Sequence, residues 1–313
     1  VSLLSDSESE YRRAPAADFV LPFDLPDAGL RGRLVRLGAV STRALEAHPL
    51  PEAAARVAAE TCVLGTLLGS ALKLDGRLTV QTKSAGPLDL VAADYYGAEQ
   101  DRPAGIRSFA RFDENRFASL GEIAPSFGSM TGEGVVAITI EPRVGGQRYQ
   151  GIVSLAQQSI AASAEAYFAQ SEQLPTAIRL AAAPVLEPGN PRPQWVAGGL
   201  MLQATPEGRV DNDDWQRLAS HVATLEDMEL VDVSLAAETL LWRLFHEDDV
   251  RVHQAESIAF RCDCNSERIA SVLRAYPQPE RDALADADGI VRARCEFCGR
   301  MHEIPAADIV TKN

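Results

Sequence analysis

Four cysteines near the C-terminus, Cys262, Cys264, Cys295 and Cys298, have the type and spacing to do chemistry. They form a C-x-C and a C-x-x-C separated by 30 residues, and each pair can turn two thiolates toward one tetrahedral cation, so Zn²⁺ is the first reading. Four thiolates leave no open coordination position, which argues for a closed site and against zinc as a catalyst. The C-x-C adds a second possibility. Adjacent Cα atoms lie about 3.8 Å apart, so a bent three-residue segment can bring its outer Cα atoms into the roughly 4.4–6.8 Å range of a disulfide. Such a ring is strained, and strained disulfides are the labile, regulatory ones. The motif therefore permits four metal-bound thiolates or two local disulfides with the metal gone.

These cysteines must be positioned by the elements around them. In the module from 256 to 313, Ser266 is placed to cap a helix carrying Ile269, Val272 and Leu273. Pro277-Gln278-Pro279 ends that helix, and Ile290–Arg294 leads into the second pair. The module's own apolar content is thin, and domains of this size commonly need a staple. Structural zinc supplies on the order of 10–16 kcal/mol in finger peptides, so losing it is expected to unfold the module.

Upstream, residues 1–17 read as a loose tail and 18–206 as an α+β core domain. In the core, Leu30, Leu34, Val35 and Leu37 mark an extended stretch, and Pro51 opens an Ala-rich helix ending near Asp75-Gly76. Short strands flank Gly86-Pro87 and Gly145-Gly146, a helix spans about Ser159 to Gln173, and Gly198-Gly199 introduces a last strand, Leu200–Ala204. Residues 207–255 hold twelve acidic side chains against four arginines, yet Trp215, Leu218, Val222 and Leu225, then Leu240, Leu241, Leu244 and Phe245, recur at helical spacing. That is an amphipathic, acidic helical linker.

Composition excludes several classes. The chain has 313 residues, 46% of them apolar, and a formal net charge of −14. It is long enough for a real core, and its charge opposes non-specific binding to nucleic acid or an anionic membrane. With no apolar run long enough for a bilayer and a polar start at Ser5–Arg13, a cytoplasmic location is expected, where clustered cysteines read as metal or redox sites. Cys62 lies in the apolar helix and reads as inert packing. The five histidines, His48, His221, His246, His253 and His302, form no metalloprotease pattern, and only His302 is near enough to a thiol pair to replace a ligand. Thr131-Gly132-Glu133-Gly134 lacks the ending of a phosphate-binding loop and reads as a turn. No catalytic constellation can be picked out, so the chain is not read as an enzyme.

Three classes stay open on the residues alone: a nucleic-acid-binding zinc ribbon, an enzyme with a purely structural zinc tail, and a redox-controlled binding protein. The ribbon lacks a basic footprint, since the module carries eight basic residues against ten acidic ones.

The cysteine pattern, with Phe260-Arg261 before it and Ser266-Glu267-Arg268 within it, resembles the C-terminal signature of the 33-kDa heat-shock protein family of bacterial redox-regulated chaperones. Further similar segments are Leu72–Gly76, Arg148–Gly151, Tyr167-Phe168, Ser171–Thr176, Ala197–Gly199 and Leu241–Glu247. The resemblance implies an ATP-independent holdase, dormant while reduced and zinc-bound through Cys262, Cys264, Cys295 and Cys298. It implies that oxidation releases zinc, forms disulfides Cys262–Cys264 and Cys295–Cys298, and unfolds the module with its linker. The active form would be a homodimer holding unfolded client proteins. The tail is longer than the family's and the linker divergent, so individual client-binding residues do not carry over.

Overall fold

The computed structural model describes residues 17–47, 49–121, 124–186, 189, 192–205 and 210–309. The expected tail through residue 16 and the expected linker start at 206–207 lie outside them. Strands β1 (Phe19–Leu25) and β2 (Leu30–Leu37) form a hairpin through Gly29, which takes the left-handed φ of 65° that the turn requires. Helices α1 (Ala39–Leu45) and α2 (Glu52–Ala71) follow, α2 directly after Pro51, whose fixed φ suits a helix start. Next come β3 (Gly76–Ser84), β4 (Leu88–Tyr96), β5 (Ala104–Phe112) and two short helices, α3 (Glu114–Ala118) and α4 (Phe127–Thr131). The hairpin β6 (Gly134–Pro142) and β7 (Tyr149–Ser154) leads to α5 (Ile160–Tyr167), then to β8 (Thr176–Val185) and β9 (Gln194–Ala204).

The acidic segment forms α6 (Asn212–Ala223), α7 (Asp227–Val231) and α8 (Ala237–Phe245). Strands β10 (Arg251–Val252) and β11 (Glu256–Phe260) precede the first cysteine pair. Helices α9 (Ser266–Leu273) and α10 (Gln278–Leu284) and the hairpin β12 (Ile290–Arg294) and β13 (Met301–Pro305) complete an α+β chain.

Among the described residues, one large sheet runs in the order β7-β6-β3-β4-β5-β11-β1-β2-β9-β8, with β10 also on β1. Its single parallel pair is β11 with β5; β11 also pairs antiparallel with β1. Residues 256–260, read from sequence as the start of the cysteine module, are thus the strand that joins the two halves of the sheet.

Alternation along the strands sets up two faces. Val20, Val35, Val80, Val91, Ile106 and Met201 turn inward against α2, a helix buried on nearly every side in the main core. The opposite face is divided. On the β1-β2-β9-β8 half it is apolar, with Phe19, Leu21, Phe23, Leu34, Leu200 and Leu202 covered by Leu218, Val222, Leu225, Leu230, Leu240, Leu241 and Phe245 of α6–α8. The amphipathic stripe expected of the linker is therefore buried on the sheet. On the β3-β4-β5-β6 half the same face carries Arg77, Thr79, Gln81, Asp94, Arg107 and Thr139.

Several local expectations shift. The Ala-rich helix stops at Ala71, because Lys73 takes a left-handed φ of 46°. The helix expected to reach Gln173 is α-helical only to Tyr167, then makes one π-helical turn that ends on left-handed Gln173. Gly198-Gly199 lies inside β9 and does not precede it; a Cβ on Gly198 would come within 2.2 Å of the Leu230 carbonyl oxygen. Asn265, not Ser266, caps α9 by accepting from the Arg268 N–H; α9 stops at Leu273, and Pro277 precedes a further helix, α10, that holds Pro279 in its first turn.

Candidate metal centre

Cys262 and Cys264 follow β11 directly, in an extended segment whose Arg261 N–H donates to Ile106 of β5. Gly105 allows this approach, since a Cβ there would collide with the Arg261 side chain. Cys295 and Cys298 occupy the turn between β12 and β13, closed by Cys295 N–H to Arg300 carbonyl and Gly299 N–H to Cys295 carbonyl, both 2.9 Å.

Chain folding brings the two turns together. The four sulfurs lie within 4.8 Å of one another, with Cys262 to Cys295 at 3.7 Å and Cys264 to Cys298 at 3.4 Å. Tetrahedral thiolates at the 2.3 Å zinc bond length would stand about 3.8 Å apart, so the cysteine set fits such an ion. The four cysteines could hold a metal ion, and all are free thiols.

The surroundings act on the sulfurs in different directions. The Arg107 guanidinium donates to Cys262 Sγ at 3.3 Å while its other edge holds buried Asp94 at 2.6 Å. Cys298 is held below the usual thiol range: burial opposes ionisation, but the Arg300 N–H and neighbouring thiols outweigh it. Burial pushes Cys264 and Cys295 up, with the crowd of neighbouring sulfurs adding to it. A cation among them would relieve that crowding. His302, buried, reaches Cys264 Sγ with Nε2 at 3.4 Å and Ser266 Oγ with Nδ1 at 3.3 Å. This places it behind a sulfur as a hydrogen-bond partner, the arrangement that orients a ligand, and outside the set of four.

The module is fastened to the polar half of the sheet and to the segment after α1. Phe297, inside the C-x-x-C turn, lies under the Arg107 guanidinium at 3.8 Å and edge-on to Phe109 at 4.8 Å. Arg261 bonds Glu99, and Arg294 donates to the Ala47 carbonyl. Sequence reasoning missed Arg107 and Phe297. Only the alternation of Arg107 and Phe109 along β5 could have flagged an outward-facing pair. Cys62 lies apart from the four, fully buried in α2. No helix among the described residues is long and apolar enough to cross a membrane.

Comparison with known proteins agrees with this arrangement. The family model for Hsp33 protein matches residues 18–305. The 33 kDa chaperonin of Caulobacter vibrioides (strain NA1000 / CB15N) is 35% identical over 292 residues, covering 92% of this chain and 94% of the relative. That of Escherichia coli O17:K52:H18 is 36% identical over 282 residues, covering 90% and 89%. The crystal structure of the 33 kDa chaperonin (heat shock protein 33 homolog) of Thermotoga maritima superposes with a TM-score of 0.74 at 19% identity, covering 93% of this chain and 96% of that one, a likeness of fold. With the fold, the cysteine cluster and these matches together, the chain belongs to the Hsp33 family of chaperones.

Proposed function

We propose that this protein is a redox-regulated, ATP-independent holdase whose reduced form binds one Zn²⁺ through Cys262, Cys264, Cys295 and Cys298. The observation that carries the reading is the position of the thiol cluster: it follows β11, which closes the sheet between the half that carries the module and the half masked by the linker. Bound zinc would supply the cross-link that the module's small core lacks.

On oxidation each within-motif pair, Cys262 with Cys264 and Cys295 with Cys298, gives up two electrons as its S–S bond forms. One peroxide takes up those electrons with two protons and leaves as two waters, so two peroxides are consumed. The thiolates lose the four negative charges that hold the cation. The module then loses its staple, the adjoining linker loosens, and the apolar half of the sheet becomes available to unfolded clients. The active form is a homodimer in the cytoplasm, and the acidic chain binds neither nucleic acid nor membrane.

The test measures bound zinc, free thiols and suppression of aggregation of an unfolding protein, before and after peroxide. The expected result is parallel loss of zinc and thiols with gain of holding activity. Oxidised, zinc-free protein that fails to suppress aggregation would overturn the reading.

A further inference from the structure

An arginine stands in the middle of the apolar half of the sheet. Arg36 of β2 is 1% exposed, on the face that holds Leu34 and the linker helices. Its hydrogen bonds go to main-chain carbonyls of the linker: Nη1 to Leu235 at 2.7 Å, Nε to Leu230 at 3.2 Å and Nη2 to Glu229 at 3.3 Å. Glu229 and Leu230 belong to the last turn of α7, where carbonyls lack intrahelical partners and a cation is favourably placed. The neighbouring position on β9 is Gly198, where only a missing Cβ lets the Leu230 carbonyl come this close. The carboxylates whose charge acts on it, Asp232 and Glu238, also belong to the linker.

When the linker leaves, this guanidinium loses its acceptors and its neighbouring carboxylates together, and stays among apolar side chains. A buried or half-buried guanidinium without acceptors is costly, while its planar fork can take carbonyls of any sequence. Unfolding chains supply such carbonyls beside apolar runs, because their backbone groups have lost their native partners.

We propose that Arg36 is a main-chain anchor used twice, for the carbonyls of α7 in the closed form and for those of client polypeptide in the open form. Arg36 and Gly198 then fasten the linker, and Arg36 lets the exposed face hold client segments through their backbone, without regard to sequence. The client half of this inference rests on the holdase reading; the linker half does not.

The test uses the full chain and a permanently unfolded client, reduced and carboxymethylated lactalbumin. Replacing Arg36 by Met makes the face more apolar, so a purely hydrophobic surface would hold the client as tightly or more tightly. The anchor predicts that oxidised Arg36→Met binds about tenfold more weakly, the loss of a charged hydrogen bond. Gly198→Ala keeps the anchor but lifts α7. Its reduced form is expected to be cut earlier by protease between 225 and 235, with zinc retained, and its oxidised form to bind within twofold of the parent. Arg36→Lys, which keeps the charge but not the fork, is expected between parent and Met variant and serves if the Met variant does not fold. Unchanged or tighter client binding by both Arg36 variants overturns the client half, and unchanged proteolysis of reduced Gly198→Ala overturns the linker half. Failure of the oxidised parent to hold client would instead remove the holdase reading and the client half with it.

Discussion

The two halves of the sheet's outer face carry different covers for different physical reasons. The β1-β2-β9-β8 half is a field of Phe, Leu and Ala that must be hidden from water, and three short helices hide it. The β3-β4-β5-β6 half carries mainly Thr, Gln, Asp and Arg, with Phe109 among them; Phe297 and Arg261 pin the cysteine module on this side, and Arg294 ties it to the Ala47 carbonyl after α1. Removing the module uncovers a mostly polar surface, whereas removing the linker uncovers an apolar one, the kind of surface that binds other chains. In the proposed function the sensor and the client surface are thus separate, with β11 between them.

The largest expected effect separates the module from everything else. Its cluster of buried apolar residues is Ala270, Val291, Ile304 and Ile309, whereas the main core runs the length of α2 and the inner sheet face. Metal removal by chelation, or Cys295→Ser, is expected to cost the module about 10 kcal/mol, the scale of structural zinc in small domains. Amide exchange should then reach unfolded rates in β12 and β13 while β3 and β4 stay protected. Retained protection in β12 without metal would show that the module folds on its own apolar contacts.

The next effect compares the two covers of the sheet. Leu64 of α2 and Phe245 of α8 are both fully buried, Phe245 with its ring 5.7 Å from that of Phe23. Cutting either back to Ala is expected to cost about 2–5 kcal/mol. Leu64→Ala should appear as a lower midpoint for global unfolding. Phe245→Ala should appear mainly as protease cleavage within 210–250, with zinc retained, because the linker can leave without unfolding the core. Equal falls in global midpoint would mean that the linker is an integral part of the core.

A smaller effect acts through pH at the edge of the linker. Glu60 of α2 lines a cleft of about 770 Å³ and is pushed up to about 7, first by burial and then by Asp227 of α7, against Arg56 and Arg179; Glu165 of α5 faces the same space. A carboxyl raised in the folded state stabilises the fold below its unfolded value, and that contribution is lost as pH rises through the folded value. Stability should therefore fall between about pH 4.5 and 7, by about 1–3 kcal/mol. Glu60→Gln should flatten this fall and melt higher than the parent at pH 8. A parent whose melting temperature does not change across that window would exclude the shift.

How far these features can be read from sequence depends on their range along the chain. The cysteine turns, α2 with Pro51, and the stripe of Leu218, Val222, Leu225, Leu240, Leu241 and Phe245 follow from spacing within a few residues. The strands β1, β5 and β8 carry no comparable local signal, and β11 reads as part of the module because its partners Phe19–Val20 and Ala104–Ile106 are remote in sequence. Arg36 and Arg107 look like ordinary strand arginines until the fold brings Leu230 to one and Cys262 to the other. Gly198 reads as a strand boundary, since nothing local shows that a carbonyl from 32 residues downstream rests on it.

The smallest expected effect concerns the fifth cysteine, which tests whether redox sensing belongs to the module alone. Cys62 lies on α2 with no exposed surface, and burial pushes its thiol up to about 12, with the Ser108 hydroxyl only partly compensating. At pH 8 it carries almost no thiolate, the form that attacks peroxide or a disulfide. Thiol titration of metal-stripped protein with its main core folded should therefore find four reactive groups, and a fifth only in denaturant. Cys62→Ala removes one buried sulfur, at a cost of about 1 kcal/mol, and should leave the response to peroxide unchanged in rate and extent. A Cys62→Ala protein that keeps its zinc when reduced but no longer gains holding activity on oxidation would place part of the sensor inside the main core.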